Sequence, residues 1–204
     1  MNGAAVWACV ALGLGPLVAR RRSVAIGLVT LQTFVLAGLA LASEADAADR
    51  AGTAGALLVR GAALATVLLL VLRRTREAAP VPARLGPLPR AALGIGLALV
   101  LAALLPDLGL ETRSTEVAAL SLAAFGLVTA ALSRATLFQI VGIVVLENGV
   151  ALAALGVAGG ASVAIELGAA LDLLLIGIVA AAFHHRIFAT FGAADTGRLR
   201  SLRD

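Results

Sequence analysis

Predominantly apolar runs of 16 to 23 positions make up most of this chain, and most charged side chains collect between the runs rather than alternating within them. Seven runs stand out, at 3–19, 23–43, 52–72, 91–106, 116–133, 136–158 and 161–183, the fourth being the shortest. Hydrocarbon about 30 Å thick needs about 20 helical residues to cross. The runs are predominantly apolar and rich in Ala and Leu, without the in–out alternation of barrel strands, so the pattern predicts helices. The expected architecture is all-α, a polytopic transmembrane bundle of about seven helices.

Composition removes other classes. Of 204 residues, 61% are hydrophobic and 14% charged, with a mean hydropathy of +1.03; a soluble domain of this length is not so apolar. The first run ends in Arg20, Arg21 and Arg22, whereas a cleaved leader opens with basic residues and closes on small ones, so this segment is expected to be retained. Cys9 is a lone cysteine, and His184 and His185 are adjacent at an expected helix end. That leaves no disulfide framework, cysteine zinc site, iron–sulfur cluster or haem pair, so neither metal nor cofactor is expected.

All 16 basic residues are Arg, giving a pI near 11.2, but with 3% aromatic residues no basic groove with interleaved rings is available for nucleic acid. The charge instead reads as topology. Arg20, Arg21 and Arg22, then Arg73, Arg74, Arg76, Arg84 and Arg90, then Arg134, then Arg186, Arg198, Arg200 and Arg203 fall in alternate connections. The positive-inside rule makes those cytoplasmic. Glu44, Asp46 and Asp49, then Asp107, Glu111 and Glu116, face only Arg50 and Arg113 on the other side. Seven spans satisfy the alternation with the N-terminus outside and the C-terminus in the cytoplasm of a bacterial or archaeal cell membrane.

Pro80, Pro82, Pro87 and Pro89 prevent residues 73–90 from being helical throughout. The resulting organisation is an N-terminal three-helix unit (1–78), a Pro-rich cytoplasmic linker (79–90), a connecting helix with an outer loop (91–115), a second three-helix unit (116–186) and a cytoplasmic tail (187–204). Laying the second run on the sixth with an offset of 115 pairs Gly27 with Gly142, Leu31 with Leu146, Gln32 with Glu147 and Thr33 with Asn148. The fourth span restores direction, so the two units would be parallel copies, as in some transport folds.

Chemistry concentrates in a few mid-run polar residues. Glu147 and Asp172 each lie eleven residues from the expected inner boundary, about 16 Å at 1.5 Å per residue. An ionised carboxylate at that depth costs roughly 2.5–3.5 kcal/mol, and such residues usually face a protein interior and mark a proton or ion route. The bland alternative is a protonated acid that merely joins helices. Arg60 lies eight residues into the expected third span, a long reach for snorkelling, and calls for a partner in this chain or a neighbouring subunit. Asn148, Glu166 and Gln32 complete the candidate proton or ion path; each also suits a plain interhelical hydrogen bond or, for Glu166, the outer interface. No nucleophile–base pair, phosphate-binding loop or metal-ligand spacing appears, so no catalytic residue and no autonomous enzyme are expected.

The run from Leu137 to Gly149, with Glu147 and Asn148 inside it, then Ile165-Glu166-Leu167, Leu171-Asp172, Arg186-Ile187-Phe188 and Asp195 to Leu202, resembles the hydrogenase-4 component E family. The C-terminal part, about 116–204, in turn resembles the K subunit of respiratory complex I, a three-helix protein with an acid in each of its last two helices. Gly142, Asn148 and Asp172 fall on that pattern. The first acid departs: its position is Val144 here, and Glu147 lies three residues later, nearly one turn along the same face.

The resemblance implies a non-catalytic subunit of a complex I-like membrane arm, in an energy-converting [NiFe]-hydrogenase or formate hydrogenlyase-like complex. Such a subunit would pack between antiporter-like membrane subunits and couple a redox module to proton or sodium movement. A free-standing secondary transporter and a purely structural membrane scaffold remain as alternatives.

Overall fold

The structure is a computed structural model that describes residues 2–75, 85–157 and 163–191, with backbone alone for 74, 75, 163–166 and 189–191. The described residues form α1 (Gly3–Val18), α2 (Arg22–Leu41), α3 (Ala47–Thr75), α4 (Pro87–Leu104), α5 (Arg113–Leu132), α6 (Thr136–Leu155) and α7 (Val163–Phe191). Six are long and apolar enough to cross a membrane, and α1 is apolar but has 16 residues. The chain is an all-helical, multi-pass membrane bundle.

Helix ends depart from the apolar runs where local chemistry overrides hydropathy. α4 begins at Pro87, inside the stretch assigned to the 79–90 linker, because Pro87 and Pro89 fall in the first turn, where the missing N–H groups would have no intrahelical acceptor anyway. Residues 79–84 of that linker lie outside the described residues, as does the tail beyond Phe191. α7 continues past His184 and His185, which were expected at its end, and His184 is fully buried rather than at the water line. α5 starts three residues before its apolar run: the Thr112 side chain accepts from the Thr115 amide, and Arg113 pairs with Glu116. Glu116, expected in an outer loop, is 1% exposed and sits in the first helical turn, where the helix dipole favours an anion.

α5 and α6 form the centre, with 67% and 61% of their spans buried, against 17% for α4 and 22% for α7. Their closeness comes from glycine. A Cβ on Gly142 would stand 2.5 Å from the Ala130 amide nitrogen and 2.7 Å from the Gly126 carbonyl oxygen; one on Gly149 would stand 2.9 Å from the Ala119 carbonyl. Backbone therefore lies on backbone, the geometry small residues permit in membranes. These pairings also show α5 and α6 running antiparallel.

Around this pair, α1 packs on α5, α2 on α6, and α3 on α7, while α4 covers α5 and α1. Each helix of the first unit thus meets the helix that the 115-residue offset matches to it. Arg90 at the start of α4 donates to Ser133 at the end of α5, at 3.3 Å, and the Glu111 amide donates to Gly156 at the end of α6, at 2.8 Å. Those contacts gather the α4 start and the α5–α6 turn at one end of the bundle, and the α4–α5 connection and the end of α6 at the other.

Candidate functional site

Four of the candidate residues meet at one level in the middle of the bundle. Gln32 stands near the centre of α2, Arg60 thirteen residues into α3, and Glu147 with Asn148 near the centre of α6. The depth of Arg60 is greater than its apolar run implied, because α3 begins at Ala47 rather than 52. At about 20 Å from the helix start, its guanidinium is beyond snorkelling, and the residue is 1% exposed.

Asn148 joins the group. Its Nδ2 donates to Gln32 Oε1 at 2.9 Å and to Thr33 Oγ1 at 3.1 Å, and its Oδ1 accepts from Arg60 Nη2 at 2.8 Å. Gln32 Nε2 donates onward to the Cys9 carbonyl at 2.9 Å, and the Thr33 hydroxyl donates to the Val29 carbonyl at 3.0 Å. The network ties α1, α2, α3 and α6. Donors all point away from Arg60, so each bond polarises the next in the same sense. Glycines admit it: a Cβ on Gly13 would lie 2.8 Å from Gln32 Nε2, and one on Gly61 would lie 3.1 Å from Thr33 Cγ2.

Arg60 Nη1 lies 3.7 Å from Glu147 Oε2, an ion pair with one partner sealed and the other 28% exposed. A unit-charge pair near 4 Å gains about 4 kcal/mol at an effective dielectric of about 20. Inserting an arginine at mid-span costs roughly 2.5–3.5 kcal/mol on the same insertion scales that price the acids. That attraction offsets the insertion cost of one of the two charges but not of both, and the hydrogen bond to Asn148 adds to it and fixes the orientation of Arg60.

Asp172 stands apart. It lies on the exposed side of α7, within electrostatic reach of Glu147, and forms no hydrogen bond or salt bridge among the described residues. The reason is that α7 packs mainly on α3, with only a slight contact to α6: Leu173, Gly177, Ala181 and His184 make its buried stripe, and a Cβ on Gly177 would meet Leu64 of α3 at 2.9 Å. The expectation that Asp172 faces a protein interior is therefore not met by this chain's own helices. The Glu166 side chain lies outside the described residues.

Protonation chemistry divides the members of the site. Amides neither gain nor lose a proton under ordinary conditions, and Arg stays charged. Glu147 and Asp172 are the groups that can take up and release a proton, or offer anionic oxygen to a cation. Gln32, Asn148 and Arg60 are suited to positioning and charge balance. Thr33 and the Cys9 carbonyl were not singled out by sequence as site members; the pairing of Thr33 with Asn148 at the 115-residue offset was the available signal. Among the described residues no group of three or more His, Cys, Asp or Glu could hold a metal ion.

No family model matches the chain, and no solved structure matches it. Over 66 residues it is 41% identical to Rv0085, an uncharacterised protein of Mycobacterium tuberculosis, a stretch that is 32% of this chain and 30% of that protein. The chain thus spans less than a third of the relative's length, and the match extends no activity to it.

Proposed function

We propose that this chain is a non-catalytic subunit of the membrane arm of a proton- or sodium-translocating redox complex, of the hydrogenase-4 or formate hydrogenlyase-like kind. In this reading Glu147 and Asp172 carry the ion, Arg60 balances their charge, and Asn148 and Gln32 hold Arg60. The observation that carries it is a half-buried carboxylate, Glu147, paired at mid-span with a sealed arginine that Asn148 locks in place. A carboxylate serving only to join helices gains nothing from partial exposure, whereas one that exchanges protons needs a route to them. Antiporter-like subunits and a peripheral redox module would be its partners, with the N-terminus outside and the C-terminus cytoplasmic.

Measured proton uptake per electron, in vesicles containing normal amounts of the assembled complex, tests the proposal. Glu147→Gln and Asp172→Asn keep side-chain size while removing the titrating group, so uptake per assembled complex should fall, more severely for Glu147. Wild-type stoichiometry in the double variant would eliminate the proposal.

One observation favours a second reading, a helix fastener. The chain from Arg60 through Asn148 and Gln32 to the Cys9 carbonyl is hydrogen-bonded at every step, as a polar core that locks four helices would be. Fastening predicts that Asn148→Ala lowers the amount of assembled complex while leaving stoichiometry per complex intact. The free-standing transporter draws less support, because no proline interrupts the middle of a described helix and α1 carries its Pro16 in the last turn.

A further inference from the structure

We propose that the face of α7 centred on Asp172 is the docking surface for a transmembrane helix of a different subunit, one that carries a basic side chain at the level of Glu147. Membership in a multi-subunit complex comes from the proposed function; the chemistry of the partner comes from this face alone. Gly168, Asp172, Leu175, Val179 and Phe183 are all exposed and recur at intervals of four, three, four and four residues, which places them on one stripe of the helix. Leu171 flanks the acid and is 68% exposed. The stripe has the spacing of a helix-packing seam, with a small residue at one end and a carboxylate one turn from it.

Asp172 lies nine residues from Val163, about 13 Å along the helix, too deep for so short a side chain to reach the headgroups. Acyl chains offer it no donor. Arg60 is engaged by Asn148 and Glu147, whereas Asp172 forms no salt bridge among the described residues and is the carboxylate left over. A second copy of this chain docked through the same face would set Asp172 against Asp172, since a two-fold contact brings equivalent residues together. A helix bearing Arg, Lys or His supplies what is missing, and a small residue at Gly168 allows its backbone a close approach.

The test places a photoreactive amino acid at Leu171, and separately at Leu175, of the full chain in its native membrane, with the crosslinked peptide located by mass spectrometry. The expected adduct joins a membrane span of another polypeptide that has Arg, Lys or His within one turn of the crosslink. Asp172→Asn should lower its yield about tenfold, the effect of losing one ion pair of about 1.4 kcal/mol. Asp172→Glu should retain the yield, and reversing both charges should restore it. Thermal unfolding of the isolated Asp172→Asn chain in detergent should match wild type, which separates docking from folding.

Adducts with lipid alone, with a second copy through this face, or with a span lacking a basic residue would each overturn the proposal, as would an undiminished yield from Asp172→Asn. The two ideas fail separately. Unchanged proton stoichiometry in the Glu147→Gln variant sinks the ion path without touching the crosslink, and a lipid-only adduct sinks the docking face without touching stoichiometry.

Discussion

The carboxamide of Asn148 has two donor hydrogens and an acceptor oxygen, and Gln32, Thr33 and Arg60 engage all three. Truncation to alanine strands the Gln32 amide oxygen and removes the acceptor that orients Arg60, which keeps Glu147, while Thr33 keeps the Val29 carbonyl. Removing one member of a buried hydrogen-bonded set costs roughly 1–3 kcal/mol, so Asn148→Ala should unfold earlier in detergent by about that amount, measured by thermal or denaturant melting. Arg60 and Glu147 should be energetically linked as well. Arg60→Leu leaves Glu147 without its cation and Glu147→Leu leaves Arg60 without its anion, whereas the double change leaves neither. A double-mutant cycle on unfolding free energy should show a coupling of about 0.5–3 kcal/mol, the range for residues in direct contact; strict additivity would mean that the 3.7 Å pair contributes nothing.

The α5–α6 contact sets the position of that cluster, since Gly149 follows Asn148 and rests on the α5 backbone. Gly142→Ala must push two helices apart and should destabilise by about 1–3 kcal/mol, as overpacking does. Gly27→Ala, in open space on α2, is the control and should be neutral or slightly stabilising under the same melt. Existence and order of the helices were legible in the apolar runs, because hydrocarbon forces helix formation wherever about 20 such residues occur. Their ends were not legible: first-turn prolines extended α4 backwards, a threonine cap began α5 early, and α7 outran its apolar stretch. Depth along a helix can be counted, which is why Gln32, Glu147 and Asn148 could be placed near the middle of their spans. Azimuth cannot be counted without knowing which helices touch, so neither the convergence on Asn148 nor the outward turn of Asp172 was readable.

At the scale of the whole molecule, the two ends of the bundle carry different connections, and the arginine distribution assigns them to opposite sides of the membrane. A cysteine at Leu108, in the exposed connection between α4 and α5, should react with an impermeant maleimide added to intact cells, and one at Arg84 should react only after permeabilisation. Cys9 is buried and adds little background. The reverse pattern would invert the topology. The distance in sequence between the members of the cluster also has a consequence in time. Arg60 is made 88 residues before Asn148, and at about 5–20 residues per second that is roughly 4–18 s of synthesis. During that interval a charged α3 exists without the helix that neutralises it. Nascent chains halted before α6 should therefore be held at the insertion machinery or cleared by membrane proteases, and release into the bilayer should begin only once Glu147 and Asn148 have emerged. Accumulation of chains halted just before α6, compared with chains halted just after it, measures that interval, and equal accumulation of the two would show that Arg60 is not what holds them.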